Sequence, residues 1–598
     1  MKTIYLDFET FYDVQYTLTK MSTAQYINHA DFKVWGVGIK VENEETEWFS
    51  EDETPSVLEQ IDWDNTSLVC HNTLFDAYIL TQHFGYRPAY YYDTAAMSRG
   101  LYPNMSARLK DCVVREFPSD PTKRKGEELV NAKGVRDLDP ELDNTIGGYC
   151  IQDVDLTYDL FQSYIKNYPT KELDLIDLTT RMFVEPKLLL DQPMLHAYKK
   201  DMAERAVLAI DASGVTREVL ASQQKFAAHL ESLEITVPTK KSPTTGKQIP
   251  AFGKNDPAYI QMCNMYPEHR ALWDAREVVK SRIDETRAQR FIDACNPDGT
   301  FGIPLRYYAA HTGRFGGSDK INLQNLPRGS KLRTAIRAPE GQRLFVADLS
   351  NIEARMLAWL AKEADLLDAF AQKRDVYCEF ASQIYNRAIT KENTLERYVG
   401  KTAILGLGYG MGHIKFQDTL KSGSPSVDVS DSTAAQVVTQ YRGMYPNIPM
   451  LWARGKDLLF NMISPNMFGT KYGPLEVARN RLILPNQMSL HYPELKYIGG
   501  EFLYDTSKGK VRTYGPRLVE NIIQALARIV ITDQILEIQS LPDVNVVMQV
   551  HDEIIAIGSE VDSDVTMDTI LNIMRTPPEW CSDLPLDAEG GVSTQYDK

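Results

Sequence analysis

The chain has little that would tie it to a membrane, an oxidising compartment or a structural zinc module. Its 598 residues hold seven cysteines (Cys70, Cys112, Cys150, Cys263, Cys295, Cys378 and Cys581), scattered and without a CxxC pair. That pattern suits reduced thiols and argues against a disulfide framework or a cysteine-based metal module. No apolar run approaches the length needed to cross a bilayer, and the opening MKTIYLDFET lacks a signal-peptide layout. Internal repeats and low-complexity tracts are missing too. Positive charge is also short: 65 Lys and Arg stand against 81 Asp and Glu, a net charge of −16 that on its face argues against a polyanionic partner. What remains is ordinary globular material, 43% hydrophobic and 24% charged, long enough for several cores.

The charge is unevenly spread. Arg306, Arg314, Lys320, Arg328, Lys331, Arg333, Arg337 and Arg343 are opposed over that span only by Asp319 and Glu340. A local basic groove on an acidic body can engage phosphates with salt-sensitive affinity; a solvated surface is the plainer alternative. Patterning predicts an α/β unit over residues 1 to about 165, opening with a strand at Thr3 to Phe8 and closing on a helix at Tyr149 to Tyr164. A mostly helical region follows from about 175 to 300, interrupted by a flexible excursion from Val237 to Pro257. Strand and loop return over 301–360, helices dominate 362 to about 495, and the chain closes with a helix at Leu518 to Gln539 and a hairpin at Val544 to Ile557.

Two acidic strand ends stand out. LFVAD delivers Asp348 from an apolar strand, and Glu353 lies just inside the helix that follows. In VNVVMQVHDEIIAI, the HDE turn is expected to project Asp552 and Glu553 away from the core. Carboxylate oxygens are the ligands Mg²⁺ prefers, and two such ions can serve phosphoryl transfer. Either stretch alone reads equally well as an acidic turn on a surface. Between them, in RYVGKTAILGLGYGMG, Arg397, Lys401, Leu405 and Tyr409 recur every four residues and are expected to drift slowly around one helix face. Cations so placed can meet phosphates. Glycines 406, 408, 410 and 412 weaken the helix end. In the N-terminal third, Asp7 and Glu9 share a strand face in LDFET, Asp76 follows in HNTLFDAYIL, and Tyr149 and Asp153 are one helical turn apart in YCIQDVD. Four acids from three elements could hold two metals.

DLSNIEAR, RYVGKTAILGLGYG and VHDE resemble, in order and spacing, the three polymerase motifs of the family A (DNA polymerase I-type) DNA polymerases. HTGRFGG and NLQNLPR are similar to that family's primer-template segment. The resemblance implies that Asp348, the Leu349 carbonyl and Asp552 hold two Mg²⁺, with Mn²⁺ as an alternative, that Glu553 assists, and that His551 sits by the primer end. Arg397 and Lys401 would grip the triphosphate, Lys401 also donating a proton to pyrophosphate. Tyr409 would stack near the template base, and Glu353 would exclude a ribose 2′-hydroxyl. Arg314 and Gln524 would contact the minor-groove edge, with Asn325 and Asn521 as further DNA contacts. Leu405 departs from the family's usual Phe or Tyr, and Asn521 lies one residue closer to Gln524 than in the bacterial pattern.

The N-terminal set resembles a DEDDy 3′–5′ exonuclease, which implies Asp7, Glu9, Asp76 and Asp153 as ligands of a second metal pair and Tyr149 as the residue orienting water. The implied fold is α/β and α+β multidomain: a ribonuclease H-like exonuclease domain (1–170), then a right-hand polymerase with thumb-like region (171–300), first palm part (301–360), fingers (361–497) and second palm part (498–598). Implied partners are primer–template DNA, dNTPs and phage or host replication factors, with no membrane. The SPTTGK stretch and the VKSRIDETRAQRF helix look like compact bacteriophage polymerases, which implies the cytoplasm of a bacterial host. A phage-type RNA polymerase, a silent DNA-binding scaffold and an exonuclease with a duplex clamp are the competing readings; Glu353 and the exonuclease set weigh against the first, and Asp348, Asp552, Arg397 and Lys401 against the second.

Overall fold

The computed structural model describes residues 1–126, 128–242, 246–254 and 256–597. Residues 243–245 of SPTTGK therefore lie outside the described residues. Lys2–Thr10 is the central strand of a five-stranded sheet, ordered Glu47–Ser50, Val34–Val41, Lys2–Thr10, Thr66–Cys70, Tyr90–Asp93. It pairs antiparallel to Val34–Val41 and parallel to Thr66–Cys70. Helix Pro140–Tyr164 lies across this sheet. Its start is well specified: Asp139 accepts from Glu141 and Leu142 N–H, and Pro140 occupies the first turn. Two glycines let it approach. A Cβ on Gly38 would stand 2.8 Å from Cys150 Sγ, and one on Gly147 would stand 2.6 Å from the Trp48 ring. Larger residues there would push the helix, and everything it carries, away from Asp7 and Glu9.

Residues from Leu220 to Val279 gather a small core of their own around Phe226, Tyr259 and Trp273. Over the expected excursion the chain forms a short hairpin, Thr239–Lys241 with Gln248–Pro250.

The second functional sheet is assembled from three distant segments, ordered Asn545–Val550, Glu553–Ser559, Gln342–Leu349, Ala588–Ser593. Leu344, Phe345, Val346 and Ala347 are buried on both faces of this sheet, which is why the run reads as continuously apolar instead of alternating. Behind it runs the long helix Gly515–Gln539. A helical region, Ile352–Asn461, separates the sheet's segments in sequence.

The helical expectation for 362 to about 495 holds only to Asn461. A four-stranded antiparallel sheet from Lys471 to His491 follows, then a three-stranded one from Lys496 to Thr513. LEVARNRLIL alternates in burial with period two, and Gly473 and Asn480 take left-handed turns at φ 56° each. Strand alternation and turn chemistry outweigh helix propensity there.

Candidate active sites

The register of the second sheet explains the clustering of acids. Asp348 lies directly across from Glu553 on one side and from Glu589 on the other. Leu349 N–H donates to the Asp552 carbonyl at 3.0 Å, tying the hairpin turn to the strand end. His551 adopts φ 56°, the left-handed conformation that turns the hairpin tightly at His551–Asp552. Asp552 is the residue the turn projects; burial raises its pKa above the ordinary aspartate range, with His551, Arg314 and Arg328 pulling the other way. Glu553 is not projected. It is the first residue of the returning strand, 4% exposed, accepts from Tyr596 Oη and lies 3.9 Å from Arg333. Strand pairing with Asp348 holds it in the sheet, correcting the expectation that the turn would carry both acids outward.

Asp348, Asp552, Glu353, Arg397 and Lys401 share one cavity of about 880 Å³, which Leu349, His551, Leu405 and Arg314 also line. Helix Thr394–Leu407 presents Arg397, Lys401 and Leu405. Tyr409 is not on this helix: it follows the helix end, where Gly410 takes φ 78° and Trp452 Nε1 donates to the Gly408 carbonyl at 2.8 Å. The glycine-rich segment breaks the four-residue periodicity before Tyr409 is reached. The tyrosine instead places its hydroxyl 3.4 Å from Glu353, which also forms an ion pair with Arg314.

Gln524 meets the same region through Thr312, whose hydroxyl lies 3.4 Å from its amide oxygen. Asn325 is exposed at the end of a short 3₁₀ turn. Asn521 is brought elsewhere: it is 7% exposed and donates its amide to Tyr492 Oη at 2.8 Å.

The basic run does not form one continuous groove. Arg314 and Arg328 line the cavity, Arg328 lying 3.7 Å from Asp348. Arg337 and Arg343 pair with Asp191 and Glu560, and Arg333 is buried against Tyr596. Three residues that sequence reasoning passed over face the cavity: Gln324, Asp375 and Glu589. Only the NLQNLPR motif hinted at the first; the other two become visible through sheet register and helix packing.

The N-terminal acids also converge. Among the described residues, Asp7, Glu9 and Cys150 present ligand atoms all within 4.8 Å of one another. Asp76 Oδ1 accepts from Phe8 N–H at 3.0 Å, so it sits at the same strand. Tyr149 and Asp153 arrive on helix Pro140–Tyr164. Burial pushes the Asp7 carboxyl up to about 6, with Lys125 and Cys150 opposing. Burial and neighbouring carboxylates raise Glu9 and Asp76 well above the usual range. Such a site asks for positive charge. The fit to a cation is good: Asp153 Oδ1 is buried without a hydrogen-bond partner, and the donors are hard carboxylate oxygens. At the second sheet the donor chemistry is the same, with Asp348 and Asp552 in a cavity that Arg397 and Lys401 also line.

The antiparallel sheet thus ends in carboxylates beside a helix bearing an arginine and a lysine, all on one cavity. Residues 194–457 match the sequence model of DNA polymerase family A. The chain is 26% identical to the DNA polymerase of Bacillus phage SP02, with both chains covered in full. It is 24% identical to DNA polymerase I of Pseudomonas aeruginosa, over 79% of this chain and 50% of that protein. A solved structure described as the POL domain of Pol1 from M. smegmatis, in complex with DNA primer-template and dNTP, superposes with a TM-score of 0.66 at 18% identity, covering 100% of this chain and 95% of that one. The chain is thus similar to DNA polymerases of phages and bacteria, and over residues 194–457 to DNA polymerase family A.

Proposed function

We propose that the protein extends a primer 3′ end with deoxynucleotides by two-metal phosphoryl transfer and proofreads with a separate 3′–5′ exonuclease centre. One observation carries the synthetic half: Asp348 on a strand and Asp552 in a hairpin turn far away in sequence line one cavity with Arg397 and Lys401 of a helix. The domain division expected from sequence, with exonuclease domain, thumb, divided palm and fingers, is the organisation this reading adopts. The five-stranded sheet, antiparallel on one side of Lys2–Thr10 and parallel on the other, supports a ribonuclease H-like description of residues 1–170.

Asp348 and Asp552, with the Leu349 carbonyl, would hold the polymerase ions; Asp7, Glu9, Asp76 and Asp153 would hold the exonuclease pair. Mg²⁺ (or Mn²⁺) supplies Lewis acidity toward phosphate oxygens and lowers the pKa of an attacking hydroxyl or water. The chain's own groups do the rest. Arg397 and Lys401 neutralise triphosphate charge, and Lys401 holds a proton for the departing pyrophosphate. Glu353, braced by Arg314 and Tyr409, fills the space a 2′-hydroxyl would need. Tyr149 orients the water that attacks in the exonuclease centre. Arg314, Gln524 and Asn325 contact the primer–template duplex, and His551 adjoins the primer terminus.

The setting we infer is phage genome replication in bacterial cytoplasm, with phage or host replication factors as further partners. Among the described residues, no helix is long and apolar enough to cross a membrane. A primer–template assay with dNTPs or rNTPs tests the reading. Asp348→Asn should abolish extension and leave 3′ trimming, and Asp7→Ala should do the reverse. Extension that survives Asp348→Asn, or a preference for rNTPs, refutes it.

A further inference from the structure

The acids of the N-terminal site are deeply buried: Glu9 is 6% exposed, Asp76 2% and Asp153 5%. Carboxylates packed this way cannot all remain ionised without a cation among them. The protein supplies one. Lys125 Nζ forms an ion pair with Asp153 and stands 4.5 Å from the centre of the Tyr149 ring. Its charge also acts on Asp7 and Glu9.

Lys125 does not come from any element that bears the acids. It belongs to the segment between helix Leu109–Glu116 and helix Pro140–Tyr164. That segment is fastened on either side of it. Lys123 pairs with Asp159 and covers the Phe117 ring, while Gly126 N–H donates to Gln152 Oε1 at 3.2 Å. The two anchors present Lys125 to the site. Asp153 is thus divided in use: Oδ2 holds the lysine and Oδ1 is buried with no partner.

We propose that Lys125 is a resident counter-cation of the N-terminal site: it pairs with Asp153 before a divalent ion enters, and it must be displaced for the ion to bind. The inference rests on the exonuclease reading of that site. Lysine suits this part because its charge sits at the end of a flexible four-carbon stem, and its side chain is 24% exposed, which gives it a way out. Arginine would hold a carboxylate with a planar, bidentate fork and leave less readily. The lysine therefore sets a threshold for metal. It keeps the acids gathered in the absence of ions and weakens the affinity they would otherwise have.

The test is Mn²⁺ titration, followed by calorimetry and electron paramagnetic resonance, on full-length protein carrying Asp348→Asn and Asp552→Asn to silence the other acids. An Asp7-dependent Mn²⁺ site should be present. Lys125→Met should bind Mn²⁺ at that site at least about fivefold more tightly than the parent, and Lys125→Arg more weakly. In EDTA, Lys125→Met should melt below the parent, and saturating Mn²⁺ should close the gap. Equal or weaker Mn²⁺ affinity in Lys125→Met, or a melting deficit that Mn²⁺ does not repair, overturns the proposal while leaving the exonuclease reading intact. No Asp7-dependent Mn²⁺ site in the parent removes both.

Discussion

Asp375→Asn separates two jobs done by one carboxylate that lines the cavity of Asp348 and Asp552. Asp375 Oδ1 accepts from Tyr377 and Cys378 N–H at 3.1 Å each, capping helix Val376–Tyr385. Its Oδ2 accepts from Arg397 Nε at 2.9 Å. The guanidinium lies 5.3 Å from the Tyr377 ring centre, so Nε and one face are engaged. Asparagine caps helices as well as aspartate, so the substitution keeps the helix start. It removes the ion pair and turns an amide N–H₂ toward Nε. The Asp375 and Arg397 side chains are 19% and 32% exposed, which places this charge-assisted bond at about 1–2 kcal/mol after solvent screening. If that energy positions Arg397 for the nucleotide, KM for dNTP should rise about five- to thirtyfold, with the melting temperature unchanged. Single-nucleotide incorporation at varied dNTP reads the effect. Asp375→Ala should show the same rise in KM plus a stability loss of about 1 kcal/mol from the missing cap. An unchanged KM in Asp375→Asn, or a loss confined to kcat, refutes the positioning argument.

Two further outcomes test the packing that holds the sites. Glu172 is 1% exposed and accepts from both Arg528 Nη atoms, from Tyr307 Oη and from Asn486 Nδ2. Burial alone would raise its pKa, but Arg528 and these donors outweigh burial and hold the carboxyl below the usual glutamate range. The folded value thus lies below the unfolded one. The stabilisation is complete above the ordinary range and is lost as pH falls through the folded value. Glu172→Gln should lower stability at neutral pH by about 3–5 kcal/mol, by stranding Arg528, and should flatten the acid limb of melting temperature against pH. A Cβ on Gly590 would lie 2.1 Å from Met567 Cε and 2.7 Å from the Val346 carbonyl. The methionine can yield, but the backbone oxygen cannot, so Gly590→Ala should cost about 1–3 kcal/mol and reduce extension more than 3′ trimming.

The local elements around both sites were largely legible. LFVAD and VNVVMQV announce strands through burial on both faces, and Asp348 and Asp552 fall at their ends in the structure as expected. Period-two spacing puts Asp7 and Glu9 on one strand face and period-four spacing puts Tyr149 and Asp153 one helical turn apart, whereas Asp76 follows from no such spacing. Legibility failed where a local pattern met a tertiary constraint. Glu553 looks like a turn residue by sequence, yet pairing with Asp348 and the Tyr596 hydroxyl draws it into the sheet. Tyr409 continues a four-residue rhythm that the glycine-rich helix end interrupts. Residues beyond Asn461 carry enough alternation to be strands, but a long helical stretch before them masks it.

By itself the sequence determined which residue types are available and on which element each sits, because periodicity and turn chemistry are local properties. It also carried, in order, the motifs that resemble those of family A DNA polymerases. Only the tertiary structure decided which charges face one another. Gly38 and Gly147 let a helix close on a strand, and Lys125 reaches Asp153 from the chain that follows helix Leu109–Glu116. Asp375 meets Arg397 through the packing of two helices, and Glu589 meets Asp348 through the pairing of strands more than two hundred residues apart. Electrostatic partners depend on distance in space, and no spacing along the chain encodes that distance.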